Sequence, residues 1–228
     1  MFDFLGHYWP MFLQGTLQTL LISIIGVIMG FLVGLLMTLM RMSSIKPISW
    51  IARIYVSIVR GTPSMIQVML VYYFLSKTLP LPDVQVLGSG LDRIIPGALA
   101  LGLNSGAYTS EIFRSGIISI PAGQTEAGLS LGMSQRQTMF SIILPQALRN
   151  TLPAMGNEFI TLIKESSVLF YIGVQEVTAE ALGVGGTLYN FIPPLLVAAA
   201  IYFVITQALS LLLNYMENKM SKKYTVAG

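Results

Sequence analysis

The sequence predicts an all-α membrane protein with five transmembrane helices, and three observations support this fold class. Of the 228 residues, 54% are hydrophobic and only 10% are charged, whereas an ordinary soluble domain is about one quarter charged. The mean hydropathy is +0.72. Five apolar stretches each come close to the roughly 20 residues that a helix needs to cross the hydrocarbon core of a bilayer.

The five predicted spans differ in how clearly they begin and end. They cover about residues 14–40, 53–75, 94–113, 152–173 and 193–215. The first contains no charged residue, whereas the second has a wholly apolar part, 63–75, that is too short to cross unless 54–59 extends it. Pro63 should kink or begin this helix because proline lacks the amide donor. The Pro193-Pro194 pair can begin the fifth helix, where the missing donors would be unpaired anyway.

The distribution of Lys and Arg predicts the orientation. Most basic residues lie near the first and third connections or in the tail: Arg41, Lys46, Arg53, Arg60, Arg114, Arg136, Arg149, Lys219, Lys222 and Lys223. Only Lys77 and Arg93 flank the loops of the other side. The positive-inside rule therefore places the N-terminus outside and the C-terminus in the cytoplasm. The first span has no basic residue before it and no small-residue cleavage site, so we interpret it as a retained helix rather than a signal peptide.

A glycine ridge marks the first span. Gly26, Gly30 and Gly34 recur every four residues, a spacing that lets another helix approach closely. The sequence favours packing within the chain over a dimer interface, and both remain open at this point.

Composition excludes several kinds of site. The chain has no cysteine, which excludes disulfides, thiolate metal sites and a thiol nucleophile, and its single histidine, His7, excludes a multi-histidine metal cluster. The net charge of +3 is too small to indicate nucleic acid as a partner. No G-x-x-x-x-G-K-[ST] phosphate loop is present, so the chain has no ATP site of this type. We therefore expect no catalytic residue and no metal ligand.

A polar elbow, about residues 121–145, interrupts the apolar spans. Residues 124–131 can form a short helix that Gly132 would end. Ser134 and Gln137 then form the S-x-x-Q pattern of a capping box, which predicts a second helix. The result is a compact helix–glycine–helix unit tied to two spans, and the orientation above puts it in the cytoplasm.

The elbow resembles the EAA loop, E-A-A-x3-G-x9-I-x-L-P, of permease subunits of ATP-binding-cassette importers. The matching residues are Glu126, Ala127, Gly132, Ile142, Leu144 and Pro145. Gly128 replaces the second alanine of that pattern, a change from one small residue to another.

Four further segments look like the polar amino acid branch of these permeases. They are Arg60-Gly61-Thr62-Pro63, residues 103–114 with Asn104 and Tyr108, Gly156-Asn157-Glu158-Phe159-Ile160, and Lys164-Glu165-Ser166-Ser167. The resemblance covers about residues 15–214. In this branch the solute is usually glutamine, glutamate, arginine, histidine, cystine or an opine.

The resemblance implies a type I importer permease (MetI-like) fold in a bacterial cytoplasmic membrane. Residues 1–13 would be an external segment, 14–215 the transmembrane domain with the elbow, and 216–228 a cytoplasmic tail. The partners would be two ATPase subunits that hold ATP and Mg²⁺, an extracytoplasmic solute-binding protein, and a second permease. That second permease could be another copy of this chain or a related chain. The residues that transmit ATPase movement would be Glu126, Ala127, Gly128, Gly132, Leu144 and Pro145.

Charged residues inside the fourth predicted span are candidates for a solute pathway. Glu158 and Glu165, seven residues apart, share a helix face with Thr161. Charges at membrane depth usually face a bundle interior or a wet cavity. One interpretation pairs these carboxylates with Lys164 or another span to hold the bundle together. In the other interpretation they line a solute cavity with Asn104 and Tyr108. Lys164 would then either form a structural ion pair or bind the carboxylate end of the solute.

Two rival functions follow from the same residues. In an ion-coupled secondary transporter the charged residues of the fourth span would relay ions, although the sequence contains no internal repeat of the kind such transporters use. A channel or structural subunit would need neither an ATPase nor a binding protein.

Overall fold

The computed structural model describes residues 2–82 and 84–222, with side chains through Lys219. Residues 223–228 of the predicted tail, including Lys223, lie outside the described residues. The elements in chain order are α1 (Leu5–Met42), α2 (Lys46–Arg60), α3 (Ser64–Thr78), β1 (Gln85–Val86), β2 (Ser89–Gly90), α4 (Leu91–Ile118), α5 (Ala122–Ser130), α6 (Gln135–Thr138), a π-helix (Met139–Ile143), α7 (Leu144–Glu165), a 3-10 helix (Ser166–Ile172), α8 (Val177–Leu188) and α9 (Ile192–Lys222).

Helix α4 lies at the centre of the bundle and α1 packs along it in parallel. The glycine ridge of α1 faces this contact. A Cβ added at Gly30 would lie 2.7 Å from Ser105 Oγ, and one at Gly34 would lie 2.5 Å from Thr109 Cγ2. Only glycine lets the two helices approach this closely. Because α1 and α4 run in the same direction, both finish at the end of the bundle that carries the elbow, here called the elbow end.

Two groups of buried side chains form the core. The larger joins α1, α3, α4, α7 and the 3-10 helix: Ile22, Val68, Ile94, Ala98, Ala100, Leu101, Leu162, Leu169, Ile172 and Val174. The smaller group lies at the end of the bundle opposite the elbow end and joins α1, α8 and α9: Phe12, Val177, Ala181, Val184, Val197 and Ala198. The core therefore runs along the bundle and holds α4 and α7 side by side.

The second predicted span is not one straight helix, because it is interrupted at Pro63, where the sequence predicts a kink or a helix start. It breaks between α2 and α3, whose axes are bent by 111°. Pro63 begins α3 as its N-cap residue, with φ −64° and ψ 135°, because proline cannot continue the preceding helix. The side-chain amide of Gln67 (Nε2) donates to the carbonyls of Val59 (2.7 Å) and Thr62 (3.0 Å). These bonds satisfy backbone groups that the break leaves without helical partners.

The fourth predicted span ends and the fifth begins where the sequence indicates, whereas α7 begins at Leu144, before the predicted start near residue 152, and α9 continues to Lys222, beyond the predicted end near residue 215. The 3-10 helix ends at Gly173, which has φ +79°, and the two prolines occupy the first turn of α9. Between them lies α8, a helix that the sequence analysis missed. Its N-cap is Glu176, a fully buried residue whose carboxylate accepts hydrogen bonds from the amides of Thr178 and Ala179 and from the hydroxyl of Tyr202.

Within the described residues, two to four helical units can cross a membrane by length and apolar composition, against five predicted. Helices α1 and α9 qualify alone, and two bent units qualify as pairs: α2 with α3, and 135–172 with α8. Helix α4, the third predicted span, is long enough but rich in small polar residues such as Asn104, Ser105 and Thr109. These residues are buried at the bundle centre, where a helix need not be apolar on every side.

Candidate functional site

The elbow is a turn between two capped helices. The first, α5, ends in a Schellman motif, in which the amide of Met133 donates to the carbonyl of Gly128 (3.1 Å) and the amide of Gly132 to that of Leu129 (3.0 Å). Gly132 has φ +82°. The predicted capping box is present: the amide of Gln137 donates to Ser134 Oγ (3.3 Å), and the amide of Ser134 to Gln137 Oε1 (2.8 Å).

Gly128 holds the two helices of the elbow together. It is the buried residue of α5, and a Cβ added there would lie 2.8 Å from Thr138 Cγ2 and 3.2 Å from Ile142 Cδ1. Alanine at this position would require Thr138, which is 1% exposed, to shift. The departure from the EAA pattern therefore matches the close contact between α5 and α6.

The outer surface of the elbow is exposed and partly apolar. Leu131 is 82% exposed and Phe140 is 60% exposed. The neighbouring Glu126 and Ala127 are also exposed. The guanidinium of Arg136 lies 5.9 Å from the centre of the Phe140 ring. Apolar side chains held in this way on a short capped unit are typical of a protein-binding surface.

The second helix of the elbow runs directly into α7. A π-helix, Met139–Ile143, joins α6 to α7. In it the amide of Leu144 donates to the carbonyl of Met139, five residues earlier. Pro145 follows in the first turn of α7, where its lack of an amide is accommodated by the widened turn. The second helix of the elbow, the π-helix and α7 therefore form one continuous helical path.

The base of the elbow is clamped between α4 and α7. An added Cβ at Gly116 would collide with Thr151 of α7. The side-chain amide of Asn150 donates to Ser119 Oγ (2.9 Å), which in turn donates to the carbonyl of Gly116 (2.7 Å). The elbow is thus attached to both helices that carry the candidate pathway residues.

The candidate pathway residues of α4 and α7 lie on adjoining faces. Ser105 Oγ donates to Glu158 Oε1 at 2.8 Å. Its neighbour Asn104 is only 6% exposed, and its side-chain amide (Nδ2) donates to Gln67 Oε1 of α3 at 2.9 Å. Polar side chains therefore connect α3, α4 and α7. Asn104 is hydrogen-bonded to Gln67 and does not face an open cavity.

Tyr108 lies one turn further along α4 beside a cluster of charges. It is 37% exposed, and the guanidinium of Arg60 lies 5.5 Å from the centre of its ring. Glu111 lies next to it and contacts Arg41 (2.9 Å), Arg114 (3.0 Å) and Arg60 (3.4 Å). One carboxylate thus meets three guanidinium groups at the elbow end of α1, α2 and α4.

The remaining candidates on α7 face away from the packed core. Thr161 and Lys164 are exposed and Glu165 is half-buried. The adjacent Leu162 and Ile163 are buried. Glu158, Thr161 and Glu165 therefore form an open polar stripe beside the contact with Ser105.

Sequence reasoning missed three of these polar residues. Ser105 and Gln67 bind the predicted Glu158 and Asn104 across distances of 53 and 37 residues in the chain, and no local pattern indicates such pairs. Glu111 carried a signal, because Arg114 stands three residues later on the same helix face. In the described part of the chain, no three His, Cys, Asp or Glu side chains are grouped closely enough to hold a metal ion.

Comparison with known proteins gives a family for this geometry. Residues 26–222 match the family model described as the inner membrane component of binding-protein-dependent transport systems. The match includes the elbow and the polar stripe of α7.

One curated relative and two solved structures are similar over nearly the whole chain. The arginine transport system permease protein ArtQ of Bacillus subtilis is 39% identical over 211 residues, which cover 92% of this chain and 93% of ArtQ. A crystal structure of an amino acid ABC transporter with histidines contains a chain that is 40% identical, with a TM-score of 0.86, covering 96% of this chain and 99% of that one. An inward-facing structure of the MetNI methionine ABC transporter has a TM-score of 0.66 at 18% identity, covering 94% and 96%, and this likeness concerns the fold alone.

Proposed function

The chain belongs to the family of inner membrane components of binding-protein-dependent transport systems, and from this we propose that it is the permease subunit of an ATP-driven amino acid importer. The observation that carries the proposal is the family match over residues 26–222, a range that contains both the elbow and the polar stripe of α7. The similarity to an arginine permease and to a transporter solved with histidines favours a polar amino acid as the solute. Nothing in the described residues favours the ion-coupled alternative.

The elbow is assigned the coupling role. Its exposed Glu126 and Ala127 would contact a groove on the partner ATPase. Gly128 and Gly132 would keep the two short helices in a fixed relation. Leu144 and Pro145 would pass the movement into α7. The close contact between Gly116 and Thr151 supports this assignment, because it joins α4 and α7 near the points where each is connected to the elbow.

The polar stripe is assigned to the solute pathway. Glu158, Thr161 and Glu165 would line the cavity together with Tyr108, and Asn104 would reach it when its bond to Gln67 opens. A carboxylate there can bind the α-ammonium group or a cationic side chain of the solute by charge-assisted hydrogen bonds. The exposed Lys164 is assigned to the carboxylate end of the solute.

The proposed assembly supplies what this chain does not. Two partner ATPase subunits would bind ATP and Mg²⁺, and an extracytoplasmic protein would deliver the solute. A second permease, either another copy or a related chain, would complete the pathway. In this assembly the chain itself performs no hydrolysis. Its role would be to bind the solute, to release it, and to reorient the pathway across the membrane.

We propose five crossings in a bacterial cytoplasmic membrane, made by α1, α3, α4, α7 with its 3-10 extension, and α9. The N-terminal residues 1–13 would lie outside, 14–215 would form the transmembrane domain, and the tail 216–228 would be cytoplasmic. Helix α3 has 15 residues and is about 22 Å long, shorter than the roughly 30 Å hydrocarbon core. Its position beside α4 and the 3-10 helix supports a protein-lined crossing, in which irregular backbone is tolerated.

The decisive experiment is solute uptake by the assembled complex in proteoliposomes, with Glu158→Gln and Glu165→Gln as variants. The uptake of labelled arginine, histidine and glutamine is measured with partner ATPase and binding protein present. We expect each variant to lower uptake of a cationic amino acid roughly tenfold or more, since one charge-assisted hydrogen bond contributes about 1.5–3 kcal/mol.

The matched control is Glu217→Gln, which removes a carboxylate outside the predicted transmembrane domain and should leave uptake unchanged. Complex yield and basal ATPase should stay near those of the unaltered protein in all three variants. Unchanged uptake in both pathway variants would refute the pathway assignment. Loss of the assembled complex in both would instead favour a structural role for the two carboxylates.

A further inference from the structure

Helix α2 carries two separate exposed stripes. Lys46, Arg53 and Arg60 stand seven residues apart and therefore share one side of the helix. A second side carries Ile51, Ile54 and Ile58, at spacings of three and four residues. The isoleucines are 59%, 40% and 59% exposed. Helix α2 contains no acidic residue, so its exposed surface is both apolar and positively charged.

The remaining side of α2 packs against the bundle and fixes its position. Ser49, Ala52 and Val56 are buried. Ser49 Oγ donates to the carbonyl of Arg41 at the last turn of α1 (3.1 Å), and the hydroxyl of Tyr55 donates to the carbonyl of Leu103 on α4. Helix α2 therefore begins at the elbow end of the bundle, and the 111° bend to α3 turns it across the direction in which α3 runs.

Trp50 lies between the two exposed stripes. Successive residues of a helix are rotated by about 100°, which puts the Trp50 side chain between those of Arg53 and Ile54. It is 67% exposed. Tryptophan is enriched where a membrane meets water, because its ring is apolar and its N–H is polar. Around α2, the basic stripe is followed by Trp50 and then by the apolar stripe. This arrangement is typical of a helix that lies in the plane of a membrane interface.

Two of the three cations on α2 are available to a partner. Arg60 is engaged by Glu111 at 3.4 Å. Lys46 and Arg53 have no acidic partner among the residues that the structure describes, and both are exposed. Charge complementarity therefore selects an anionic partner that also offers an apolar layer to the three isoleucines.

We propose that α2 is an interfacial helix that docks on the anionic phospholipid surface at the elbow end of the bundle. Ile51, Ile54 and Ile58 enter the acyl layer, and Lys46 and Arg53 bind the phosphate headgroups. Each basic residue near an anionic leaflet adds attraction equivalent to a roughly fivefold preference for anionic lipid. This inference goes beyond the transport function and does not depend on it. Docking would hold α2 in place while α3 and the polar stripe of α7 change their arrangement.

The test uses tryptophan fluorescence of the full chain in phosphatidylcholine vesicles that contain phosphatidylglycerol. The sequence has two tryptophans, Trp9 and Trp50, so Trp9→Phe leaves Trp50 as the only reporter. Bromine atoms are placed on the acyl chains of one lipid or the other. We expect brominated phosphatidylglycerol to quench Trp50 well beyond its share of the bilayer. Neutralising Lys46→Gln and Arg53→Gln should reduce this preference roughly fivefold per cation, and high salt should reduce it in the unaltered helix.

The control is Trp50→Phe, in which Trp9 reports from the opposite end of α1. Trp9 is 51% exposed and should be quenched by each lipid in proportion to its amount. Quenching of Trp9 without quenching of Trp50 would overturn the proposal and assign the α2 surface to a protein partner, such as a second permease. Equal quenching of Trp50 by both lipids, or a preference unaffected by salt and by the two substitutions, would overturn it as well.

Discussion

At the scale of single residues, glycine has two distinct roles in this chain. Gly30 and Gly34 have helical geometry and are required by the contacts that a side chain would meet on α4. Gly132 and Gly173 have φ of +82° and +79°, a conformation that costs other residues roughly 1–2 kcal/mol. The first role concerns packing and the second concerns the backbone, so substitutions at the two kinds of site fail for different reasons.

The backbone role predicts the effect of Gly132→Ala. No described atom lies within 4 Å of an added Cβ at this position, so the cost is conformational and amounts to about 1 kcal/mol. We expect the chain to insert normally, while the turn of the elbow loosens and solute-stimulated ATPase activity of the complex falls. Thermal unfolding of the purified chain and ATPase assays measure the two effects.

Gly123→Ala is the matched control for this substitution. Gly123 lies in α5, also has no described atom within 4 Å of an added Cβ, and has no positive φ. Alanine there should be neutral or stabilising by up to about 1 kcal/mol, because it favours the helix. Equal behaviour of the two variants would contradict the importance of the left-handed turn.

At the scale of elements, the elbow presents large apolar side chains that are mostly exposed to solvent. Leu131 and Phe140 are largely exposed, although the helices that carry them are firmly capped. The caps stabilise the short helices of the elbow, whereas the exposed apolar side chains contribute little to that stability. A variant can alter the surface without unfolding the elbow.

This separation predicts that Leu131→Asp disrupts assembly but not folding. Leu131 is 82% exposed, so the charged side chain meets no buried surface and the unfolding temperature should change little. Burial of that charge in an ATPase groove would weaken binding by about 2 kcal/mol or more, the loss typical of a central interface residue. Copurification of the partner ATPase with the permease measures it.

Tyr189→Asp serves as the control for the elbow variant. Tyr189 is 95% exposed and lies between α8 and α9, away from the elbow end. We expect this variant to retain the ATPase in full. If Leu131→Asp copurified as much ATPase as the control, the elbow would not be the docking surface.

At the scale of the whole molecule, the two ends of the bundle differ in chemistry. The elbow end carries the Glu111 cluster of arginines and the basic stripe of α2. The opposite end carries the β1–β2 hairpin, whose Ser89 hydroxyl accepts a hydrogen bond from the amide of Gln175 (2.8 Å). The excess of positive charge at the elbow end supports the proposed cytoplasmic location of that end.

Cysteine labelling measures this orientation directly, because the chain contains no native cysteine. Ser134→Cys on the elbow and Thr187→Cys in α8 both replace exposed residues. In intact cells an impermeant thiol reagent should label Thr187→Cys and leave Ser134→Cys unreacted until the membrane is opened. Ser89 is unsuitable as a reporter because it is fully buried. Labelling of Ser134→Cys in intact cells would reverse the orientation and remove the coupling role.

The sequence by itself determined the features that depend on neighbouring residues. The long apolar stretches, the capping box at Ser134, the left-handed end at Gly132 and the start of α3 after Pro63 all follow from local backbone geometry and hydrophobicity. Each of these features depends on a few neighbouring residues, so the amino-acid sequence is sufficient to predict it. The correct end of the fourth span at Gly173 belongs to the same class.

Only the tertiary structure decided which residues meet across the bundle. The bond of Asn104 to Gln67, the bond of Glu158 to Ser105 and the approach of Arg41 and Arg60 to Glu111 join residues 37 to 70 positions apart. The hydrogen bond that the buried Glu176 carboxylate accepts from the Tyr202 hydroxyl of α9 arises in the same way, since it requires a partner helix to be in place. The physical reason is that packing selects these contacts from many that the sequence allows, whereas caps and spans are selected by the chain locally.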